Sequence, residues 1–103
     1  MSVLLEFAMF PTDKEESISP YVSKIIQMIR ESGVTYQLTA MGTIIETETL
    51  PEALAIVQQC YDVLEPDCNR VYSSLKFDIR KGKSECLTQK IQSVENIIGE
   101  VNK

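Results

Sequence analysis

Two glutamates, Glu6 and Glu46, are the most prominent candidates for chemistry in this sequence, because each interrupts an apolar or β-branched stretch. Carboxylates in the middle of a sheet face are costly unless they are paired or hydrated. One interpretation is that they form a site for a cationic or amine-bearing ligand. The other is that they pair with Lys76, Arg70 or Arg80 or face water, since structural ion pairs are a common cause of such clusters.

Histidine is absent from all 103 residues, which excludes several kinds of site. The chain has no imidazole for a Ser-His-Asp or Cys-His mechanism, for a zinc site or for a pH switch. Its three cysteines, Cys60, Cys68 and Cys86, show no CxxC spacing and predict neither a zinc site nor a redox pair. Only carboxylate chemistry would remain for catalysis, so we predict a protein that is not an enzyme and has no metal or cofactor.

Charge and hydropathy argue against two classes of partner. Ten Lys and Arg against fifteen Asp and Glu give a net charge of −5, which opposes binding to nucleic-acid phosphates. No run of about eighteen apolar residues could span a membrane, and the N-terminus lacks the basic region of a signal peptide. Scattered cysteines in odd number are typical of the reducing cytoplasm. We therefore predict a single cytoplasmic domain over residues 1–103.

The chain begins with a predicted strand and helix. Val3 to Phe10 is apolar except for one glutamate, and the polar stretch from Thr12 to Ser17 predicts a loop. Ser19-Pro20 predicts the helix start, with the Ser19 hydroxyl as the N-cap. Gly33 is placed to end this helix in the left-handed conformation.

A hairpin and a second helix come next. Val34–Thr39 and Thr43–Thr47 are rich in β-branched residues and are separated by a turn that contains a glycine. Thr49 and Glu52 have the spacing of a capping box, in which each side chain satisfies a backbone donor at the start of a helix. Pro66 is expected to end that helix.

The last part of the chain predicts one more strand and one more helix. Residues Arg70 to Arg80 alternate between apolar and polar side chains, and apolar residues recur at helical spacing from Leu87 to Val101. The order is therefore β-α-β-β-α-β followed by an extra C-terminal helix. Right-handed crossovers convert this order into an α+β, ferredoxin-like split sheet with both main helices on one face.

Strand alternation assigns the side chains to the two faces of this sheet. The face under the helices is expected to hold Val3, Leu5, Phe7, Met9, Tyr36, Leu38, Thr43 and Ile45. The opposite face, here named the outer face, is expected to present Leu4, Glu6, Ala8, Phe10, Gln37, Thr39, Ile44, Glu46, Ser74, Lys76 and Asp78. The first and third strands are neighbours in this topology, so Glu6 and Glu46 are expected to lie close together.

This topology also predicts self-association. The strand Arg70 to Arg80 lies at a sheet edge, and Leu4, Phe10 and Ile44 leave an apolar patch on the outer face. A chain of this size buries only about two-thirds of its unfolded surface. We predict dimers and a tetramer built from two of them. The alternative is that the C-terminal helix covers the outer face of its own subunit.

The hairpin carries a resemblance to a known family. The chain resembles the small thiamine-binding (YkoF-like) family, whose hairpin reads Tyr-x-Leu-Thr-Pro-Met-Gly-Thr-x-Ile-Glu, in the stretch Tyr36-Gln37-Leu38-Thr39-Ala40-Met41-Gly42-Thr43-Ile44-Ile45-Glu46. The match extends on both sides to Glu6-Phe7, Pro11, Ser19, Tyr21-Val22, Glu31-Ser32-Gly33, Arg70-Val71, Ser74, Lys76, Asp78, Lys90 and Ser93-Val94-Glu95. Ala40, Thr47 and Ile79 depart from the family's usual Pro, Gly and acidic residue.

The resemblance implies a ferredoxin-like domain that assembles into dimers and tetramers and binds thiamine or its hydroxymethylpyrimidine half without catalysis. Together with strand alternation, it gives a candidate ligand site of Glu6, Ser19, Gln37, Thr39, Met41, Gly42, Thr43, Glu46, Ser74 and Asp78. The carboxylates would accept from the exocyclic amine or neutralise the thiazolium cation, and hydroxyl groups would add neutral hydrogen bonds. Apolar walls for the flat rings would come from Leu4, Phe10, Met41 and Ile44.

Two functions therefore remain open from the sequence. The first is a non-catalytic binding protein for thiamine or its pyrimidine precursor. The second is a structural or regulatory oligomerisation module whose exposed sheet serves only self-assembly. A cavity of ring size beside the candidate residues would favour the first function, and closed salt bridges among the carboxylates would favour the second.

Overall fold

The computed structural model describes residues 1–14 and 18–102. Four strands and three helices follow one another in the predicted order. Their bounds are β1 Ser2–Pro11, α1 Ser19–Ser32, β2 Thr35–Thr39, β3 Gly42–Thr47, α2 Leu50–Leu64, β4 Val71–Arg80 and α3 Cys86–Ile98. The strands form one antiparallel sheet in the order β2-β3-β1-β4, which confirms the predicted α+β, ferredoxin-like fold.

The first helix begins differently from the prediction. Ile18 is the N-cap, and its carbonyl accepts from the backbone N–H groups of Tyr21 and Val22, each at 3.0 Å. Ser19 is the first residue of the helix, so the prediction that its hydroxyl forms the N-cap is wrong. At the other end Gly33 has a φ of 79° and closes the helix in the left-handed conformation as predicted.

The loop before α1 lies only partly in the described chain. The predicted loop Thr12–Ser17 continues beyond residue 14 into residues 15–17, which lie outside the described residues. Asp13 ties the described part to the start of β4, because its carboxylate accepts from the Asn69 backbone N–H at 2.7 Å. This hydrogen bond lowers the pKa of the Asp13 carboxyl below its usual value.

The second helix starts with the predicted cap. The Thr49 hydroxyl accepts from the Glu52 backbone N–H at 3.4 Å and donates to the Glu52 carboxylate at 2.7 Å. The helix ends at Leu64, two residues before Pro66. The Glu52 carboxylate thus binds the Thr49 hydroxyl. In a full capping box it would instead accept a hydrogen bond from the Thr49 backbone N–H.

The hydrophobic core lies between the sheet and the helices α1 and α2. Its buried members from β1 and β3 are those predicted by alternation, and they pack against apolar stripes of both helices. The core comprises Val3, Leu5, Phe7, Met9, Ile25, Ile29, Ile45, Ala53, Ile56, Cys60 and Leu64. Burial raises the pKa of the Cys60 thiol to about 12, so this cysteine is an unreactive packing residue at neutral pH.

Helix α3 occupies part of the outer face, where its first turn meets β3 and β1. Leu87 is buried there, whereas Ile97 and Ile98 near the end of the helix are largely exposed. The outer face is thus partly covered by the chain's own C-terminal helix. Within residues 1–14 and 18–102, no helix is long and apolar enough to cross a membrane.

The two helices under the sheet do not cover all four strands. Leu38 of β2 points to the helix side but is 55% exposed, so its predicted core position is wrong. On β4, the helix-side residues Leu75 and Phe77 are also substantially exposed. Both strands are sheet edges, and a layer of two helices lies chiefly over the two central strands.

Candidate functional site

The turn of the hairpin is closed by a single threonine. The Thr39 hydroxyl accepts from the backbone N–H groups of Met41 and Gly42, each at 3.2 Å, and donates to the Gly42 carbonyl at 2.7 Å. These hydrogen bonds satisfy backbone N–H and C=O groups that would otherwise lack a partner in the two-residue turn. The Met41 side chain, 87% exposed, therefore stands at the tip of a fixed turn.

Gly42 allows the hairpin to approach β1 closely. A Cβ at this position would lie 2.9 Å from the carbonyl oxygen of Phe7, closer than side-chain atoms normally come to backbone. The residue also has a φ of 159°. The glycine is thus required by close contact between two backbones, and this contact sets the floor of the neighbouring cavity.

A cavity of about 260 Å³ lies between the hairpin turn, the end of β1 and the first turns of α1, and we name it the hairpin pocket. Its walls are mostly aliphatic and aromatic, with two threonines as the polar side chains. It is lined by Phe7, Ala8, Met9, Phe10, Ile18, Val22, Ile25, Ile26, Leu38, Thr39, Ala40, Met41, Gly42 and Thr43. Its volume lies just below the range of roughly 300–1,000 Å³ for drug-sized ligands, which fits a ligand of one or two rings.

Thr43 supplies the polar group inside this pocket. The residue is only 6% exposed, and it lies on the helix side of the sheet opposite Phe7. No side-chain hydrogen bond of its hydroxyl is found among the described residues, and the residue lines the pocket. A nearly buried hydroxyl without a protein partner is well placed to bind a polar atom of a ligand.

Glu6 lies outside this pocket, on the outer face. Its cross-strand neighbours are Ile44 on β3 and Lys76 on β4, and Gln37 extends the same row on β2. The Lys76 ammonium lies 3.6 Å from the Glu6 carboxylate, and both side chains are substantially exposed. The alternative of an ion pair with Lys76 is therefore realised for Glu6, and solvent can compete for both partners.

Glu46 lies on the same face but has other partners. Its carboxylate accepts from the Ser2 hydroxyl at 2.5 Å and from the backbone N–H groups of Cys86 at 2.8 Å and Leu87 at 3.3 Å. Those two amides belong to the first turn of α3, where a negative charge is favourable. Since Glu6 and Glu46 are diagonal neighbours with separate partners, they do not form one joint carboxylate site.

Replacing Glu46 with glutamine is expected to destabilise the protein by about 1 kcal/mol, because the charge at the start of α3 is lost while one acceptor oxygen remains. Amide hydrogen exchange of α3 should rise more than that of the sheet. Glu48→Gln, at the exposed residue directly after β3, is the matched control. Equal exchange of α3 in both variants would contradict a capping role for Glu46.

The candidate residues thus fall into two groups. Thr39, Met41, Gly42 and Thr43 line the hairpin pocket. The outer-face group consists of Glu6, Gln37, Glu46, Ser74 and Asp78, with Asp78 3.5 Å from Arg80. Ser19 starts α1, directly after the pocket residue Ile18.

Sequence reasoning missed the helical wall of the pocket. Val22, Ile25 and Ile26 were predicted only as the apolar face of α1, because their spacing indicates burial and carries no information about a cavity. A stripe that faces both a core and a pocket has the same sequence pattern as one that faces a core alone.

A larger and more open cavity, of about 730 Å³, lies at the opposite end of the sheet. Glu46, Glu48, Glu52 and Glu85 line it. Two of these carboxylates already serve the starts of α3 and α2. Among the described residues, no group of acidic and cysteine side chains is arranged to hold a metal ion. The smaller apolar pocket is therefore the better candidate for a ring ligand.

The family model described as "Thiamine-binding protein" matches residues 5–95 of the chain. The chain belongs to this thiamine-binding protein family. The matched range includes the hairpin, α1 and every residue that lines the hairpin pocket.

Two relatives of similar length show how far the sequence similarity extends. A UPF0045 protein of Mycobacterium tuberculosis is 35% identical over 98 residues, covering 95% of this chain and 96% of the relative. A UPF0045 protein of Methanocaldococcus jannaschii is 33% identical over 92 residues, covering 89% and 91%. The family description and these names do not assign an enzyme class to the relatives.

Two solved structures have the same architecture. A crystal structure of the M. jannaschii protein matches with a TM-score of 0.80 and 31% identity, covering 93% of this chain and 98% of that one. A candidate thiamine biosynthesis/salvage protein of Thermotoga maritima matches with a TM-score of 0.79 and 19% identity, covering 91% and 99%. The second similarity concerns the fold alone.

Proposed function

We propose that this member of the thiamine-binding protein family binds thiamine or its hydroxymethylpyrimidine half, without catalysis, in the hairpin pocket. The observation that carries the proposal is a ring-sized apolar cavity built from the hairpin motif of the family. In this role thiamine or hydroxymethylpyrimidine is a bound ligand, and the protein needs no cofactor besides it. The free thiols of Cys60, Cys68 and Cys86 support a cytoplasmic location.

The composition of the walls favours an aromatic ring. Phe7 and Met9 on one side and the aliphatic side chains of α1 on the other leave a slot with few polar groups. An aminopyrimidine ring gains by burying its faces between such walls, while its edge needs only a small number of hydrogen bonds. Thr43 provides one hydroxyl that can donate or accept at that edge.

The composition of the pocket walls also indicates which half of thiamine enters the pocket. The described residues that line the hairpin pocket include no carboxylate, so a thiazolium cation inside it would remain unpaired and would be costly to bury. The neutral aminopyrimidine half therefore inserts, and the charged half stays at the mouth beside the exposed Met41. Glu6 and Glu46, which face the other side of the sheet, do not neutralise the cation in this arrangement.

Calorimetric titration tests the proposal with two ligands, thiamine and hydroxymethylpyrimidine. Both natural ligands should bind, the free pyrimidine with at least half of thiamine's binding free energy. Thr43→Val, which removes only the hydroxyl, should weaken binding about tenfold. Thr43→Ser keeps the hydroxyl and should stay within about threefold of the natural protein.

Glu6→Gln is the control for the outer face. It should leave the affinity unchanged, because Glu6 contacts Lys76 on the far side of the sheet. If Glu6→Gln weakens binding and Thr43→Val does not, the ligand binds the outer face and our site is wrong. If no ligand produces heat with the natural protein, the binding function is wrong.

A second candidate function is a structural or regulatory oligomerisation module. The observation in its favour is the exposed apolar surface along β4, where Leu75, Phe77 and Ile79 face the helix side and remain substantially exposed. Self-association and ligand binding are compatible, so only the absence of binding would favour the module. We propose dimers, and tetramers built from them, as the assembled form.

A further inference from the structure

We infer that the preferred pyrimidine ligand carries a phosphate monoester on its hydroxymethyl group, and that the Arg30 guanidinium binds this phosphate in a second cavity beside the hairpin pocket. The inference rests on the proposed function, because it assigns the chemical class of the ligand at that same site. Thiamine and unphosphorylated hydroxymethylpyrimidine are bound without use of the second cavity.

The second cavity, which we name the Arg30 cavity, has a volume of about 330 Å³ and lies along α1. It is lined by Val22, Ser23, Ile26, Gln27, Arg30 and Leu38. Three of these residues, Val22, Ile26 and Leu38, also line the hairpin pocket, so the two cavities are direct neighbours. A ligand whose ring fills the hairpin pocket therefore has space for a substituent in the Arg30 cavity.

Leu38 is the movable part of the wall between the two cavities. It belongs to β2, which is an edge strand of the sheet, and its side chain is 55% exposed. An exposed leucine can change its rotamer without disturbing the packing of the core. A substituent on the inserted ring can therefore pass between Leu38 and α1 into the Arg30 cavity.

Arg30 gives the second cavity a preference for anions, since the described lining contains this guanidinium and no carboxylate. Among the described residues no carboxylate forms an ion pair with Arg30, whereas Lys24, the other cation of α1, contacts Asp67 at 3.9 Å. The neighbouring Glu31 accepts from the Gln27 side-chain amide at 3.3 Å. A guanidinium without a protein partner can bind two phosphate oxygens at once.

The position of Arg30 on α1 also suits this role. Arg30 follows Ile26 by four residues, about 6 Å along the helix axis, so the two side chains lie on one side of the helix. Long side chains on a helix lean towards its N-terminus, which directs Arg30 back towards the hairpin pocket. The guanidinium can therefore meet a phosphate that leaves the pocket past Ile26.

Charge distinguishes the phosphorylated pyrimidine from thiamine. In thiamine, the thiazolium cation is attached to the carbon that bears the hydroxyl group in hydroxymethylpyrimidine. Beside Arg30 this cation would meet a like charge, which favours its placement at the mouth near Met41. A phosphate on the same carbon is attracted to Arg30 instead. Because the whole chain has a net charge of −5, the attraction depends on this local cation.

Calorimetric titration with two pairs of ligands tests the inference: hydroxymethylpyrimidine and its phosphate monoester, and thiamine and thiamine monophosphate. The natural protein should bind the pyrimidine phosphate about tenfold more tightly than the free pyrimidine, because a charge-assisted contact is added. In thiamine monophosphate the cation lies between the pyrimidine and the phosphate. Its affinity should therefore stay within about threefold of that of thiamine.

Arg30→Gln removes the charge and keeps a polar side chain. In this variant the ratio of the two pyrimidine affinities should fall from about ten to about one. Lys24→Gln is the matched control, because it removes the same charge from the same helix and lines neither cavity. Its ratio should remain about tenfold. Since each ratio is measured within one protein, a small change in stability cancels.

Leu38→Glu and Leu38→Gln test the path between the two cavities. Both variants place a polar group of similar size in the shared wall, but only glutamate adds a negative charge. The affinity ratio should be at least about fivefold lower in Leu38→Glu than in Leu38→Gln, because the carboxylate repels the phosphate and competes for Arg30. Equal ratios in the two variants would show that the phosphate does not pass Leu38, contrary to the inference.

The inference is overturned if the natural protein binds the free pyrimidine and its phosphate equally well, and the proposed function would then still stand. It is also overturned if the preference survives in Arg30→Gln, if Lys24→Gln abolishes it as well, or if only thiamine monophosphate shows it. If none of the four ligands binds, the proposed function itself is wrong and the inference falls with it.

Discussion

Replacing Gly42 with alanine is expected to lower the free energy of unfolding by about 1–3 kcal/mol. The new Cβ would lie 2.9 Å from the Phe7 carbonyl oxygen, and neither partner is the flexible end of a side chain. The hairpin must therefore move away from β1, which also changes the floor of the hairpin pocket. Urea denaturation measures this loss of free energy of unfolding as a lower midpoint concentration of urea. The comparison holds when the dependence of the free energy on urea concentration is the same in both proteins.

Gly33→Ala is the matched control for this prediction. Gly33 also has a positive φ, but nothing lies within 4 Å of the Cβ that alanine would add. The substitution lowers the free energy of unfolding only through backbone conformation, by about 1 kcal/mol. Gly33 lies at the end of α1 that is far from the pocket. Ligand affinity should therefore fall in Gly42→Ala and remain unchanged in Gly33→Ala. A Gly42→Ala protein as stable as the natural one would show that the close approach is not required.

The sequence predicts the framework of this fold well, because the relevant signals are local. Alternation along β1 assigned Leu5 and Phe7 to the core and Glu6 to the outer face, and each assignment is correct. The start of α1 was misplaced by one residue, since Ile18 and Ser19 both precede a proline that can occupy the first turn. Side-chain chemistry favours serine as a cap, but the backbone carbonyl of Ile18 accepts the first helical bonds.

The candidate site was harder to predict because its determinants are not local. Thr43 and Val22 line the same pocket although they lie on different elements, and no spacing along the chain reveals such a cavity. Glu46 is a similar case, because its main role depends on where α3 packs. Leu38 has the expected direction, but its burial depends on how many strands two helices can cover.

Filling the hairpin pocket is expected to have the largest effect on ligand binding. Val22 lines the pocket from α1 and is only half-buried, so a larger side chain at this position can enter the cavity without displacing the core. In Val22→Phe the phenyl ring occupies the slot that we assign to the aminopyrimidine ring. Affinity for thiamine and for hydroxymethylpyrimidine should fall by at least about a hundredfold in calorimetric titration.

The stability of this variant separates blocking from unfolding. Phenylalanine fills existing space, so the free energy of unfolding measured by urea denaturation should stay within about 1 kcal/mol of that of the natural protein. Ser23→Phe places the same ring on the exposed side of α1 and should bind the ligands normally. Since a filled cavity cannot also hold a ring, normal thiamine binding by a folded Val22→Phe protein would exclude the hairpin pocket as the site.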